Sequence, residues 1–188
     1  MADSVEYSGR VAGQETKNFL NPSKTAILLI EYQNEFTSVG GKLHEAVKPV
    51  MDKSNMLTNS VDLVQHARRA GVKIFHAAIT FSSDYRELSK DPYGILGNVK
   101  GGECFVQGSW GADFIDVMKP FPEDIVVAGK RGLCAFSSTN LDFLLRQNGI
   151  ENLVLAGFLT NCCVVSIHLH QCIFTFFLLI TISCCLYL

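Results

Sequence analysis

An α/β fold built on a parallel sheet is predicted by three observations taken together. Short apolar runs rich in β-branched residues recur along the chain, helical patterns fall between them, and the composition supplies enough apolar material for a sizeable core. The first run is Thr25–Glu31, the second Val72–Ile79, the third Asp124–Ala128 and the fourth Leu153–Ala156, and each reads as a strand buried on both faces. Between the first two, Ser54–Ala70 carries Met56, Val61, Val64 and Ala67 at helical spacing and stops at Gly71. A shorter helical pattern near Ala112–Met118 precedes the third strand, and Ser138–Gln147, closed by Asn148 and Gly149, precedes the fourth. The segment from Phe81 to Gly111, with Pro92 and several glycines, is longer than most connections and is expected to be functional or mobile.

With 188 residues, 48% hydrophobic and 18% charged, the chain is long enough for one domain with a proper core. A net charge of −2, with scattered lysines and arginines, leaves no electrostatic footprint for nucleic acid, so a small-molecule substrate or soluble partner is expected. Seven cysteines without an apolar N-terminal signal segment argue for a reducing, cytoplasmic setting. Four of them form the adjacent pairs Cys162–Cys163 and Cys184–Cys185, which lack the separated knuckles of a zinc site.

In open parallel sheets ligands bind beyond the carboxyl ends of the strands. The first run ends in Glu31, the third leads to Lys130, and the fourth runs through FLTN into Cys162 and Cys163. Taken singly these are a surface acid, a solvated charge and small core residues. Together at one sheet edge they offer carboxylate, ammonium and thiol. A lysine and a helix N-terminus stabilise a thiolate, a carboxylate shuttles the proton, and backbone N–H groups at a strand-to-helix turn hold an oxyanion. That is the equipment for nucleophilic attack on a carbonyl carbon.

The stretches AILLIEYQNEF, VVAGKRGLCAFSSTNLDFLLRQNGI and NLVLAGFLTNCCV resemble, in order, three motifs of the isochorismatase-like cysteine hydrolases, which include nicotinamidases, carbamoylsarcosine amidohydrolases and ureidoacrylate hydrolases. GSWGADFIDVMKP resembles the family's linking segment. The resemblance implies a three-layer, Rossmann-like parallel sheet with helices on both faces, and hydrolysis of a small amide-type C–N bond. It implies Cys163 rather than Cys162 as nucleophile, Lys130 beside it, and Glu31 in place of the family's catalytic aspartate. It further implies a non-proline cis peptide at Phe158–Leu159 and an oxyanion hole from the amides of Leu159 and Cys163. No cofactor is expected. No metal is expected either, because His76 stands alone in FHAAITF without the nicotinamidases' aspartate, and reads as a satisfied core residue. In the long loop, Tyr85, Arg86 and Trp110 are candidates for substrate contact.

The resemblance covers roughly Lys24 to Val164, so the chain divides into a loose arm (1–23), an incomplete hydrolase domain (24–164) and a hydrophobic tail (165–188). Because family members continue with further strand-helix units, the sheet is expected to lack its last ones, leaving the fourth strand without an outer neighbour. Cys172–Leu188 is an uncharged run of 17 residues. As a helix it would span about 25 Å, marginal for a bilayer. The alternatives to a hydrolase are therefore an inactive truncated form with a binding or regulatory role, and a tail-anchored, membrane-associated protein. A homo-oligomer is an open option.

Overall fold

The computed structural model describes residues 10–11, 14–15, 20–173 and 177–184, with side chains over 20–169. The central strand β1, Thr25–Ile30, is buried along its whole length. It pairs in parallel with β2 (Lys73–Ala77) on one side and β4 (Asn152–Phe158) on the other, in register Leu28 to Phe75 and Leu28 to Leu155. The two-residue strand β3, Ile125–Val126, extends β2, so the order runs β3-β2-β1-β4 before the last strand is added.

Strand alternation sends neighbouring side chains to opposite faces, and the two apolar layers follow from it. Ile27 and Leu29 of β1 pack with Val154 and Ala156 against α2 (His44–Lys53) and α3 (Met56–Arg69), through Val47, Met51, Val64 and Ala67. Ala26, Leu28 and Ile30 face the other way, onto α5 (Ala135–Ser138), α6 (Leu141–Gln147) and α7 (Val165–Ile173). Between α2 and β1 lies the single turn α1, Asn34–Thr37, and the long loop contains α4, Ile95–Gly101. The expected three layers are present.

The sheet does not end at β4. After α7 crosses over, β5 (Phe177–Cys184) pairs with β4 in parallel from Asn152–Phe177 to Phe158–Cys184, with one irregularity between Leu155 and Ala156. The expectation of a fourth strand without an outer neighbour is therefore corrected. An apolar, uncharged run rich in β-branched residues suits a sheet strand as well as a lipid-facing helix, and in the fold it takes the position beside β4. Among the described residues, no helix is long and apolar enough to cross a membrane.

Two local expectations also change. The helix expected over Ala112–Met118 is replaced by two short turns, Trp110–Ala112 and Asp116–Met118. The backbone between them bonds instead to the stretch after β1, with Asn34 N–H donating to Asp113 O (2.9 Å) and Ile115 N–H to Tyr32 O (3.0 Å). Helices α2 and α4 were not anticipated; Pro49 inside α2 masks its pattern.

Candidate active site

Three strand ends deliver one group each. Glu31 follows β1 in a left-handed conformation (φ 57°), its N–H donating to Ala77 O at 3.1 Å, which turns the buried carboxyl across the sheet edge. Lys130 follows β3, after Val127 N–H extends the pairing to His76 O (2.8 Å) and Gly129 (φ 88°) redirects the chain. Its side chain is fully buried. Cys163 sits in a π-helical turn, Thr160–Val164, between β4 and α7, where Cys162 and Val164 N–H groups both donate to Leu159 O (3.0 and 3.1 Å). The preceding peptide, Phe158–Leu159, is cis. Gly157 lets β4 approach β1 here, because a Cβ would stand 2.0 Å from Ile30 O and its φ of +139° is a backbone conformation that L side chains rarely adopt.

The three groups meet. The Lys130 ammonium bonds the Glu31 carboxylate, donates to Gly132 O at 2.8 Å and lies 3.7 Å from Cys163 Sγ. Burial by itself would lower the ammonium's pKa, but the Glu31 charge and the thiol hold it above its ordinary value. The Cys163 thiol is pushed well up, first by burial and then by the neighbouring Glu31 carboxylate, which outweigh the opposing charge of Lys130. Desolvation at this site thus opposes the thiolate that the lysine and the helix terminus favour.

Glu31, Cys162 and Cys163 line a narrow cavity of about 20 Å³, room for about one water molecule. Its other walls are apolar: Phe36, Ile79, Phe105 and Leu159 from the body, and Ile95, Leu96 and Val99 from α4.

Tyr85 and Trp110 do not reach this cavity. Tyr85 is buried elsewhere, its hydroxyl donating to Cys104 O at 2.7 Å and its ring tilted against Phe81. Trp110 is half exposed and lines an open groove with Lys42, Glu103 and Ser109. Arg86 is paired with Asp84 on the surface. Gln33 was not singled out in the sequence, yet its side chain bonds Ile79 N and O (2.9 and 2.8 Å) and Ala112 O (2.7 Å), joining the Glu31 loop to the end of β2 and to the long loop. A buried amide in EYQNEF was the available signal, but its partners lie 46 and 79 residues away.

His76 is buried, and its Nε2 lies 3.1 Å from Asp124 Oδ2, so the aspartate missing from its own strand comes from just before β3. Burial lowers its pKa, against the opposing pull of Asp124. Among the described residues no group of three or more His, Cys, Asp or Glu side chains is placed to hold a metal ion.

The family model of the isochorismatase domain matches residues 25–172. The chain belongs to the isochorismatase family. Curated relatives include the ureidoacrylate amidohydrolase RutB of Rhizobium rhizogenes, 30% identical over 78% of this chain and 64% of its own length. The RutB of Acinetobacter baylyi is 31% identical over 88% of this chain and 73% of its own. This chain thus spans roughly two thirds of the first relative. In fold it resembles a cysteine hydrolase from Pseudomonas syringae pv. phaseolicola, with a TM-score of 0.77 at 18% identity over 94% of this chain and 79% of that one. N-carbamoylsarcosine amidase from Thermoplasma acidophilum superposes with a TM-score of 0.68 at 24% identity, over 84% and 81%.

Proposed function

We propose that this member of the family hydrolyses an amide-type carbon–nitrogen bond of a small molecule, with Cys163 as nucleophile. The observation that carries the reading is one buried ammonium, Lys130, shared between the Glu31 carboxylate and the Cys163 thiol at the wall of a cavity.

In this reading Glu31 takes the thiol proton as Sγ attacks the carbonyl carbon, so that the sulfur never carries a free charge in an apolar site. Lys130 balances the carboxylate before the transfer and the sulfur during it. The oxyanion of the tetrahedral adduct is received by the Leu159 and Cys163 amides. Glu31 then returns the proton to the leaving nitrogen, the C–N bond breaks, and a thioester remains. Water adds to that thioester with Glu31 again taking a proton; the C–S bond breaks and the thiol is restored. Two relatives, a ureidoacrylate amidohydrolase and an N-carbamoylsarcosine amidase, are named for hydrolysis of the same bond class. A free nucleophilic thiol suits the cytoplasm, the location we assign.

Ammonia release from a panel of primary amides and ureides tests the scheme. Cys163→Ala is expected to lower kcat/KM by at least about 10³-fold while the protein stays folded; equal rates for both proteins would overturn it.

A further inference from the structure

Building on the hydrolase reading, we propose that the site takes a small amide whose acyl group is apolar and uncharged, and that α4 is the wall that selects it.

The cavity beside Cys163 presents charge only at its floor. Glu31 is already paired with Lys130, so the floor has no surplus positive charge for a second anion. Three cations of the surrounding loops are engaged elsewhere. Arg131 bonds Thr80 Oγ1 (2.9 Å) and faces Glu87 (3.4 Å). Lys42 donates to Glu103 O (2.6 Å), and Lys100 to Ser89 O and Lys90 O (3.1 and 2.8 Å). None of the three lines the cavity. A substrate carboxylate placed against Ile95, Leu96 and Val99 would shed its water and gain no partner, which disfavours a buried ion strongly. An alkyl group there gains apolar contact instead, worth about 10-fold or more in rate for each methylene in a fitting pocket.

Space points to the same element. With about 20 Å³ free, any acyl group beyond a methyl must displace a wall. Of the walls, α4 is a short helix with Ile95 and Leu96 only partly buried, preceded by Gly94 (φ 62°) and followed by Gly102, whereas Ile79 and Leu159 directly follow sheet strands and Phe36 of α1 is buried and stacked on Phe158. The side of the acyl group that α4 touches is therefore read by aliphatic side chains.

The test pairs two primary amides of nearly equal shape, 4-methylpentanamide and succinamate, in which two methyl groups stand where the second carries a carboxylate. Each is hydrolysed by water to an acid and ammonia. Ammonia release by the unsubstituted protein is expected to favour 4-methylpentanamide by at least about 100-fold in kcat/KM, and calorimetric binding to Cys163→Ala to favour it by at least about 10-fold. Leu96→Arg, at the partly buried rim, should move the binding ratio at least about 10-fold toward succinamate. Equal or tighter binding of succinamate by Cys163→Ala, or a Leu96→Arg ratio that does not move, overturns the assignment. Preserved binding preference with no ammonia from either amide sinks the hydrolytic reading and leaves the ligand class standing.

Discussion

Two charge clusters are buried on the same sheet, and they are built for different ends. Arg68, Asp124 and His76 join α3, the approach to β3 and β2. Asp124 accepts from the Arg68 guanidinium, from His76 Nε2 at 3.1 Å and from Phe121 N–H at 2.8 Å, while Arg68 also stacks 3.8 Å over the Phe121 ring. This carboxylate is saturated, and Arg68 and His76 line a separate cavity of about 80 Å³ to which no cysteine contributes. At the other cluster Lys130 divides itself between Glu31, Gly132 O and a thiol that accepts no full countercharge, beside a cavity. Burial of charge alone therefore does not mark a reactive site in this protein. In the function we propose, an ammonium shared with a thiol at a cavity wall does.

The largest expected effect sharpens that contrast. Lys130→Met leaves Glu31 ionisable and unpaired in an apolar surround, and should cost about 3–5 kcal/mol in chemical denaturation together with all amidase activity. A loss under 1 kcal/mol would mean that the pair contributes about as much as a surface ion pair, which the burial of both partners argues against. Next comes Glu31→Asp. Its backbone suits the left-handed conformation, but the carboxyl retreats by about an ångström from Lys130 and the thiol, so kcat should fall on the order of 100-fold. An unchanged or raised kcat would show that the site is tuned for the shorter acid.

Asp124→Asn tests the other cluster. It removes the countercharge of a partly exposed arginine and a buried histidine, with an expected loss of about 2 kcal/mol and a kcat within about threefold of the unsubstituted protein. A kcat that collapsed while the fold persisted would join the two clusters into one functional unit.

The smallest effect vanishes at neutral pH. Burial pushes Cys104 from its ordinary value of 9.0 up to about 11 and Tyr85 from 10.0 up to about 12. Both groups hold their protons longer folded than unfolded, so their contribution to stability is complete below about pH 9 and is lost as pH climbs through 11 and 12. Cys163 shifts the same way. Denaturation midpoints should be flat from pH 7 to 9 and fall above, and alkylation of Cys163 by iodoacetamide should accelerate only above pH 9. Fast alkylation at pH 7 would restore the thiolate picture drawn from the sequence.

Much of the fold was legible because its signals are local. Runs such as AILLI and NLVLAG carry strand composition within themselves, and the helix Met56–Arg69 announces its face through Met56, Val64 and Ala67. The motif order likewise pointed to Glu31, Lys130 and Cys163, since strand ends of a parallel sheet share one edge. The reading weakened where an outcome hung on distant partners. Phe177–Cys184 is apolar enough for several fates, and only β4 selects the strand among them. The turns around Ala112–Met118 obey Tyr32 and Asn34 rather than their own propensity, and His76 acquires Asp124 across 48 residues.

The sequence by itself determined the family, the sheet strands β1 to β4 and the identities of the three groups at the sheet edge, because side-chain period and motif spacing are written along the chain. The tertiary structure alone decided that β5 flanks the sheet, that α4 closes an apolar cavity, that Tyr85 and Trp110 stand apart from it and that burial raises the pKa of the Cys163 thiol. Those outcomes depend on which groups lose water and which partners they meet, and both are set by contacts between segments far apart in the chain.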